Sequence, residues 1–257
     1  MRQGVWAGVV LIALVPACAP ADRVAGARPG GSTPLTGTVT VLAAASLTET
    51  FEELGRRFQA VHPGVDLTFS FGPSSTLVRQ VQEGAPADVV AVADEGLLQP
   101  VADAGLSSSP AIFARNRLAL VVAAGNPEGV DSLAALARPG LAVVLCAPEV
   151  PCGRLAAEAL RRAGIHVEPR SLEPDVKAVV AKVALGEADA GIVYVTDVSA
   201  GGSKVEGVAI PPAENAVATY PIATLRRAPN PAAAAAFVDF VRSDEGRALL
   251  TSAGFEV

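Results

Sequence analysis

Hydrophobic positions between Thr38 and Val61 change their period partway along. Val39 and Val41 alternate with threonine as in a strand, Ala43, Ala44 and Ala45 are small, and then Leu47, Phe51, Leu54, Phe58 and Val61 recur at steps of four and three. This pattern predicts a strand that runs through a tight crossing into an amphipathic helix. Ser46 and Glu49 have the spacing of a capping box, which sets the expected helix start at that serine. A helix N-terminus at the carboxyl end of a strand offers unpaired N–H groups and the positive end of a dipole. In an α/β protein that is the default place for an anion.

The same alternation continues downstream. Val65, Leu67, Phe69 and Phe71 predict a half-buried strand ending in GPSST, which delivers Ser74 and Ser75 to a second helix carrying Leu77, Val78 and Val81. Residues 88–93 predict a buried strand and 95–102 a short helix. Another strand is expected from Asn116 (RLALVVAAG), followed by a turn at Gly125, Asn126 and Pro127 and a short helix capped by Asp131. Residues 140–146 predict a strand leading through a cysteine loop to a helix that opens at Gly153. A strand over 166–172 precedes a helix started by Pro174 and Asp175, and residues 189–195 form a strand that carries Tyr194. Strands over 205–210 and 216–225 and helices over 232–241 and 245–251 close the chain. Alternating strands and helices make the class α/β, and no internal repeat of solenoid period appears. Four helix starts follow strands: at Ser46, Ser74, Cys152-Gly153 and Asp175-Val176. Along one sheet edge they would spread out, whereas in two facing lobes they would converge.

Composition narrows the chemistry. With 257 residues the chain is long enough for one large domain or two small ones. Its net charge of -6 comes without long runs of either sign, so no nucleic-acid surface is expected and an anion site must use local donors. His62 and His166 are the only histidines, against a histidine-built metal centre or catalytic triad. Arg2 followed by the apolar stretch Val5 to Val15 reads as an export leader, residues 1–17, too short to span a bilayer. LVPAC (Leu14 to Cys18) resembles a bacterial lipobox, in which Cys18 would be lipidated and would hold the chain on a membrane surface; an ordinary signal peptide is the alternative. The Pro-, Gly- and Ala-rich residues after Cys18, to 37, read as a flexible tether. In an oxidising compartment Cys146 and Cys152 remain as an even pair. A structural disulfide between them is favoured over two buried thiols or a redox pair, since C-x5-C is not the redox spacing.

AAASLTE (Ala43 to Glu49), FGPSSTLVRQVQEGAPADVVAVAD (Phe71 to Asp94), PEVPCG (Pro148 to Gly153), EPDVKAVVAKVALGEADAGIVY (Glu173 to Tyr194), TYPIA (Thr219 to Ala223) and SAGF (Ser252 to Phe255) occur in this order. Together these blocks resemble the periplasmic molybdate-binding proteins of ABC transporters, over nearly all of Val39 to Val257. The Ala-, Arg- and Val-rich composition with a lipobox is similar to an actinobacterial type of member. The resemblance implies a two-lobed type II periplasmic binding fold, each lobe a mixed sheet flanked by helices. Its chain would cross between lobes near Asn116 and near Pro221, which puts residues 38–116 with 222–257 in one lobe and 117–221 in the other. It also implies that a tetrahedral oxyanion, molybdate or tungstate, sits in the cleft with no cofactor and no direct protein ligand to the metal. The positions that match the family's binding residues are Ser46, Ser74, Cys152 (where alanine is usual), Val176 and Tyr194. The implied partners are a membrane permease and its ATPase, and the expected state is a monomer.

None of the five positions is charged, so the site would hold its dianion with oriented N–H and hydroxyl donors. Asp175 would weaken that arrangement if its carboxylate faced the cleft. Two other readings are weighed. A binding protein of the same architecture for sulfate, thiosulfate or a small carboxylate is one; a carboxylate binder would more naturally present an arginine fork. An exported enzyme with Ser46 or Cys152 as nucleophile is the other, and it lacks both a histidine in a matching motif and a G-x-S-x-G.

Overall fold

The computed structural model describes residues 34–257 together with residues 1, 3–5, 7 and 8 near the N-terminus. Cys18, most of the expected leader and most of the tether lie outside the described residues. Among the described residues no helix is long and apolar enough to cross a membrane.

Strand β1 (Gly37–Ala44) pairs in parallel with β2 (Val65–Gly72) on one side and β3 (Val89–Ala91) on the other. Its residues alternate between two cores. Val39, Val41 and Ala43 face one cluster and Leu42 the other, and β3 divides likewise, with Val89 and Ala91 against Val90. Burial on both faces is what a parallel sheet covered by helices requires. One face is covered by α1 (Thr48–Val61), α7 (Pro231–Arg242) and α8 (Asp244–Ser252), where Phe51 and Phe58 pack edge-on against Phe237 at ring centroid distances of 6.1 and 5.4 Å. The other face is covered by α2 (Ser74–Gln82) and α3 (Glu95–Asp103), through Leu77, Val78, Val81, Leu98 and Val101.

Strand β4 (Ala111–Ala123) is longer than expected, beginning five residues before Asn116. Its first part, Ala111 to Arg117, pairs antiparallel with β9 (Val217–Thr224), which in turn pairs with β3. Its second part pairs with β7 (Ala190–Tyr194) and β8 (Val205–Ala209). Beyond β7 lie β5 (Val143–Cys146) and β6 (Ser171–Glu173), both parallel. The strand order is β2-β1-β3-β9-β4-β7-β5-β6, with β8 on β4, so β4 joins two halves of the sheet. Pro221, where a second crossing is expected, lies inside β9 opposite Ile112; the return from β8 occupies residues 210–216. Buried Asn215 fastens that return to β4, accepting from Leu118 N–H at 3.0 Å and donating to Leu118 O at 2.8 Å.

On the second half, α4 (Pro151–Ala163) starts with proline at its first position and ends at Gly164, whose φ of 70° suits a left-handed cap. Helix α5 (Val176–Ala184) is capped by Asp175, and α6 (Val195–Ala200) follows β7 directly. The strand expected over 166–172 is confined to Ser171–Glu173. Asp131 does not cap the next turn, a 3-10 stretch (Leu133–Ala137); its carboxylate accepts from Ser132 Oγ instead.

Candidate functional site

Parallel strands bring their carboxyl ends to one edge, and here the edges of both sheet halves face a single small cavity. It is lined by Ala44, Ala45 and Ser46 at the end of β1, Gly72, Pro73 and Ser74 at the end of β2, and Ala93 after β3. The second half contributes Val150, Pro151 and Cys152 at the start of α4, Pro174, Asp175 and Val176 at the start of α5, and Tyr194 at the end of β7. All five residues singled out in the sequence, Ser46, Ser74, Cys152, Val176 and Tyr194, line this cavity, and each is 5% exposed or less.

The lining presents donors. First-turn N–H groups have no acceptor within their own helix. Those of Ser74, Cys152 and Val176 have none elsewhere among the described residues either. Pro73 and Val150, which precede α2 and α4, have no side chain that caps, so those helix starts stay open. Asp175 spends its carboxylate on Ala178 N–H at 3.0 Å, three residues into α5, which leaves the Val176 N–H uncovered. Ser74 Oγ accepts from Ala93 N–H at 3.1 Å, so its own proton remains to donate. The Tyr194 hydroxyl is buried without a hydrogen-bond partner. Burial pushes its pKa well up, with the nearby Tyr220 adding to the shift, so it stays a neutral O–H.

Cys146 and Cys152 are bridged, with S–S 2.01 Å and Cα–Cα 5.8 Å. The bridge ties the end of β5 to the first turn of α4. Gly153 completes the fit, because a Cβ there would lie 2.0 Å from the Ala147 carbonyl oxygen. Helix α4 therefore starts against the 146–147 backbone, and Cys152 N–H is held by that contact.

The expected capping box at Ser46 and Glu49 does not form. A 3-10 turn (Ala45–Leu47) intervenes, α1 begins only at Thr48, and its preceding residue Leu47 makes no side-chain cap. Ser46 Oγ instead lies 2.9 Å from the Tyr220 hydroxyl. Glu49 turns outward and takes Lys177 Nζ at 2.7 and 2.8 Å. Sequence reading missed Tyr220, although it stands in the quoted TYPIA block, because the partner of Ser46 is 174 residues away in the chain.

Charges flank the cavity and do not line it as free cations. Lys177 in α5 pairs with Glu49 in α1, and Arg154 in α4 pairs with Asp94, the residue that caps α3. Both pairs join the two sheet halves. Asp197 is buried beside Lys177, with Oδ1 3.6 Å from Nζ and Oδ2 accepting from Tyr194 N–H at 3.2 Å. Burial raises its pKa from the ordinary 3.8 to about 7, against the opposing pull of Lys177.

Known proteins resemble this chain in sequence and in fold. The Mycobacterium tuberculosis molybdate-binding protein ModA is 44% identical over 241 residues, covering 93% of this chain and 89% of its own. Among solved structures, the periplasmic molybdate-binding protein of Azotobacter vinelandii superposes with a TM-score of 0.76 at 22% identity, over 85% of this chain and 99% of that one. The sulfate-binding protein SubI of M. tuberculosis gives a TM-score of 0.76 at 23% identity, over 85% of this chain and 86% of that one. Likenesses at that identity speak to the fold, which is the type II periplasmic binding protein fold. The family model described as bacterial extracellular solute-binding protein matches residues 39–256, and the chain belongs to that family.

Proposed function

We propose that the chain is a binding protein, not an enzyme, that captures molybdate, and tungstate with it, outside the cytoplasm for an ABC importer. The observation that carries the reading is the convergence of Ser46, Ser74, Cys152, Val176 and Tyr194 on one buried cavity, in a chain 44% identical to a molybdate-binding protein. Two hydroxyls from serine, one from tyrosine and backbone N–H groups from helix starts suit a fully deprotonated tetrahedral dianion. Each bond to the charged ligand contributes about 1.5–3 kcal/mol net when the donors are fixed beforehand. A fully deprotonated anion can accept at every such contact, whereas a protonated one must donate a hydrogen bond itself; Asp175 Oδ1 is engaged in the α5 cap.

In this reading residues 34–117 with 217–257 form one lobe and residues 118–216 the other, and β4 with the 210–216 return forms the hinge. Ser46 and Ser74 belong to the first lobe, Cys152, Val176 and Tyr194 to the second. Only the closed arrangement completes the ligand's hydrogen bonds, so the anion stabilises closure by its differential affinity for that state. The permease then reads the closed surface. Cys18 is the proposed acylation site that keeps a monomeric binding protein at the membrane; replacement of Cys18 by serine should release it to the soluble fraction.

Calorimetric titration of the chain from Thr36 with molybdate, tungstate, sulfate and phosphate tests the reading. Tight one-to-one binding of the first two alone is expected. Equal binding of sulfate would make the protein a general oxyanion carrier, and silence from all four would remove the ligand assignment.

A further inference from the structure

We infer that Tyr220 is a positioning residue for Ser46: its phenol donates to Ser46 Oγ, so that the serine proton is turned into the anion cavity. The inference rests on the reading of Ser46 as an oxyanion donor. Tyr220 does not line the cavity itself; it is fully buried on β9, packed against Phe255, Tyr194 and Phe113 at ring centroid distances of 5.3, 6.1 and 6.2 Å. Packing on three sides fixes the phenol, and its oxygen lies 2.9 Å from Ser46 Oγ.

Geometry alone leaves open which hydroxyl donates, but the chemistry around the pair decides it. A phenol is a far stronger acid than an alkyl hydroxyl, so in a mixed pair it is the better donor and the serine oxygen the better acceptor. Ser46 Oγ is the one hydrogen-bond partner of the Tyr220 hydroxyl among the described residues, so the phenol sends its proton to Ser46. Burial drives the phenol pKa well up, so the proton is never lost in the physiological range.

The hydrogen-bond direction therefore runs from Tyr220 to Ser46 and ends at the cavity. Ser74 is handled the same way by a shorter route, since Ala93 N–H occupies its oxygen at 3.1 Å. Both serine hydroxyls are thereby committed as donors, one by a backbone amide and one by Tyr220. Without the phenol, the Ser46 hydroxyl is free to rotate, and it must spend part of its time turned from the ligand.

A double-mutant cycle tests this. Tyr220→Phe, Ser46→Ala and the combined variant are titrated with sodium molybdate by calorimetry, and thermal melting verifies that each is folded. Tyr220→Phe keeps the ring packing and is expected to weaken molybdate binding roughly three- to tenfold when Ser46 is present. In the Ser46→Ala background the same change should have less than a twofold effect, because nothing is left to orient. Equal losses in both backgrounds, or no loss in either, overturn the inference and point to packing. Should Ser46→Ala itself leave molybdate binding unchanged, the site reading fails at Ser46, an outcome distinct from additive losses.

Discussion

Replacing Gly153 with alanine isolates the contribution of the α4 start to anion binding. The new Cβ would lie 2.0 Å from Ala147 O, 2.6 Å from Ala147 C and 2.8 Å from Cys146 O, all backbone atoms that cannot rotate away. Relieving the shortest contact to about 3.0 Å moves the first turn of α4 by about 1 Å away from the end of β5. A hydrogen bond of about 2.9 Å stretched by that amount is no longer one. Loss of the Cys152 N–H contact to a charged ligand costs about 1.5–3 kcal/mol, or about 10- to 150-fold in Kd. The clash also destabilises the fold, so a control is needed with the same defect elsewhere. Gly246 provides it: a Cβ there would lie 2.3 Å from Val241 O and 2.4 Å from Phe240 O, in α8, outside the cavity lining. Calorimetry with molybdate and thermal melting of both variants are compared. Gly246→Ala should lower Tm and leave Kd unchanged, whereas Gly153→Ala should lower Tm and weaken binding. Unchanged affinity in a folded Gly153→Ala variant, or equal affinity losses in both, would refute the role given to the α4 start.

Reduction of the Cys146–Cys152 bridge opens a loop of sequence separation 6, for which chain entropy gives about 2 kcal/mol of stability. Melting with and without reductant should differ by about 4–8 °C, and no difference would mean that Gly153 and the loop hydrogen bonds alone fix the turn. The pairs Lys177–Glu49 and Arg154–Asp94 join the sheet halves, with side chains 29% to 54% exposed, so about 0.2–1 kcal/mol is expected from each. The double variant Glu49→Gln with Asp94→Asn should speed molybdate release in stopped flow by roughly 2- to 30-fold, an effect that shrinks in high salt; an unchanged release rate would exclude them from closure. Asp197 carries a folded-state pKa raised by burial from 3.8 to about 7, so the folded state holds its proton over a range where the unfolded chain has released it. Its contribution to stability is therefore fully present below pH 4 and lost as pH rises through 7, by at most about 4 kcal/mol. Denaturation of wild type and Asp197→Asn from pH 4 to 8 should show the difference growing in favour of the variant; a constant difference would remove the titration from Asp197.

Much of this was legible because it is local. The periodicity of Leu47, Phe51, Leu54 and Phe58 places α1, the alternation in β2 places that strand, and Asp175 as a cap is visible from its position before VKAVVAKVA. The five cavity residues are placed by the resemblance that the quoted motif blocks carry; the strand-to-helix pattern by itself marks only the helix starts at Ser46, Ser74, Cys152-Gly153 and Asp175-Val176. What failed was also physical. The capping box at Ser46 has the right spacing, yet a 3-10 turn delays the helix by two residues, and tertiary packing gives the serine to Tyr220. The early start of β4 at Ala111 is not visible because its partner, β9, lies more than 100 residues downstream. Similarly, the role of Arg154 depends on Asp94, 60 residues upstream. Short-range signals set the elements, and the pairings between distant elements set the chemistry of the site.

Those pairings explain how an acidic chain can hold a dianion. Lys177 and Arg154 sit in the first turns of α5 and α4, where a bare cation opposes the helix dipole. Each has its charge matched by a carboxylate from the opposite sheet half, Glu49 or Asp94. The charge is thus spent across the cleft and not inside it. The cavity is left with neutral donors whose partial charges are fixed in orientation. A cation facing the ligand would attract any anion of suitable size, protonated or not. Donors of fixed direction favour an anion that accepts at every contact. In the proposed reading, the direction of the N–H and O–H groups sets what the site accepts, and the ion pairs outside help to bring the two sets of donors together.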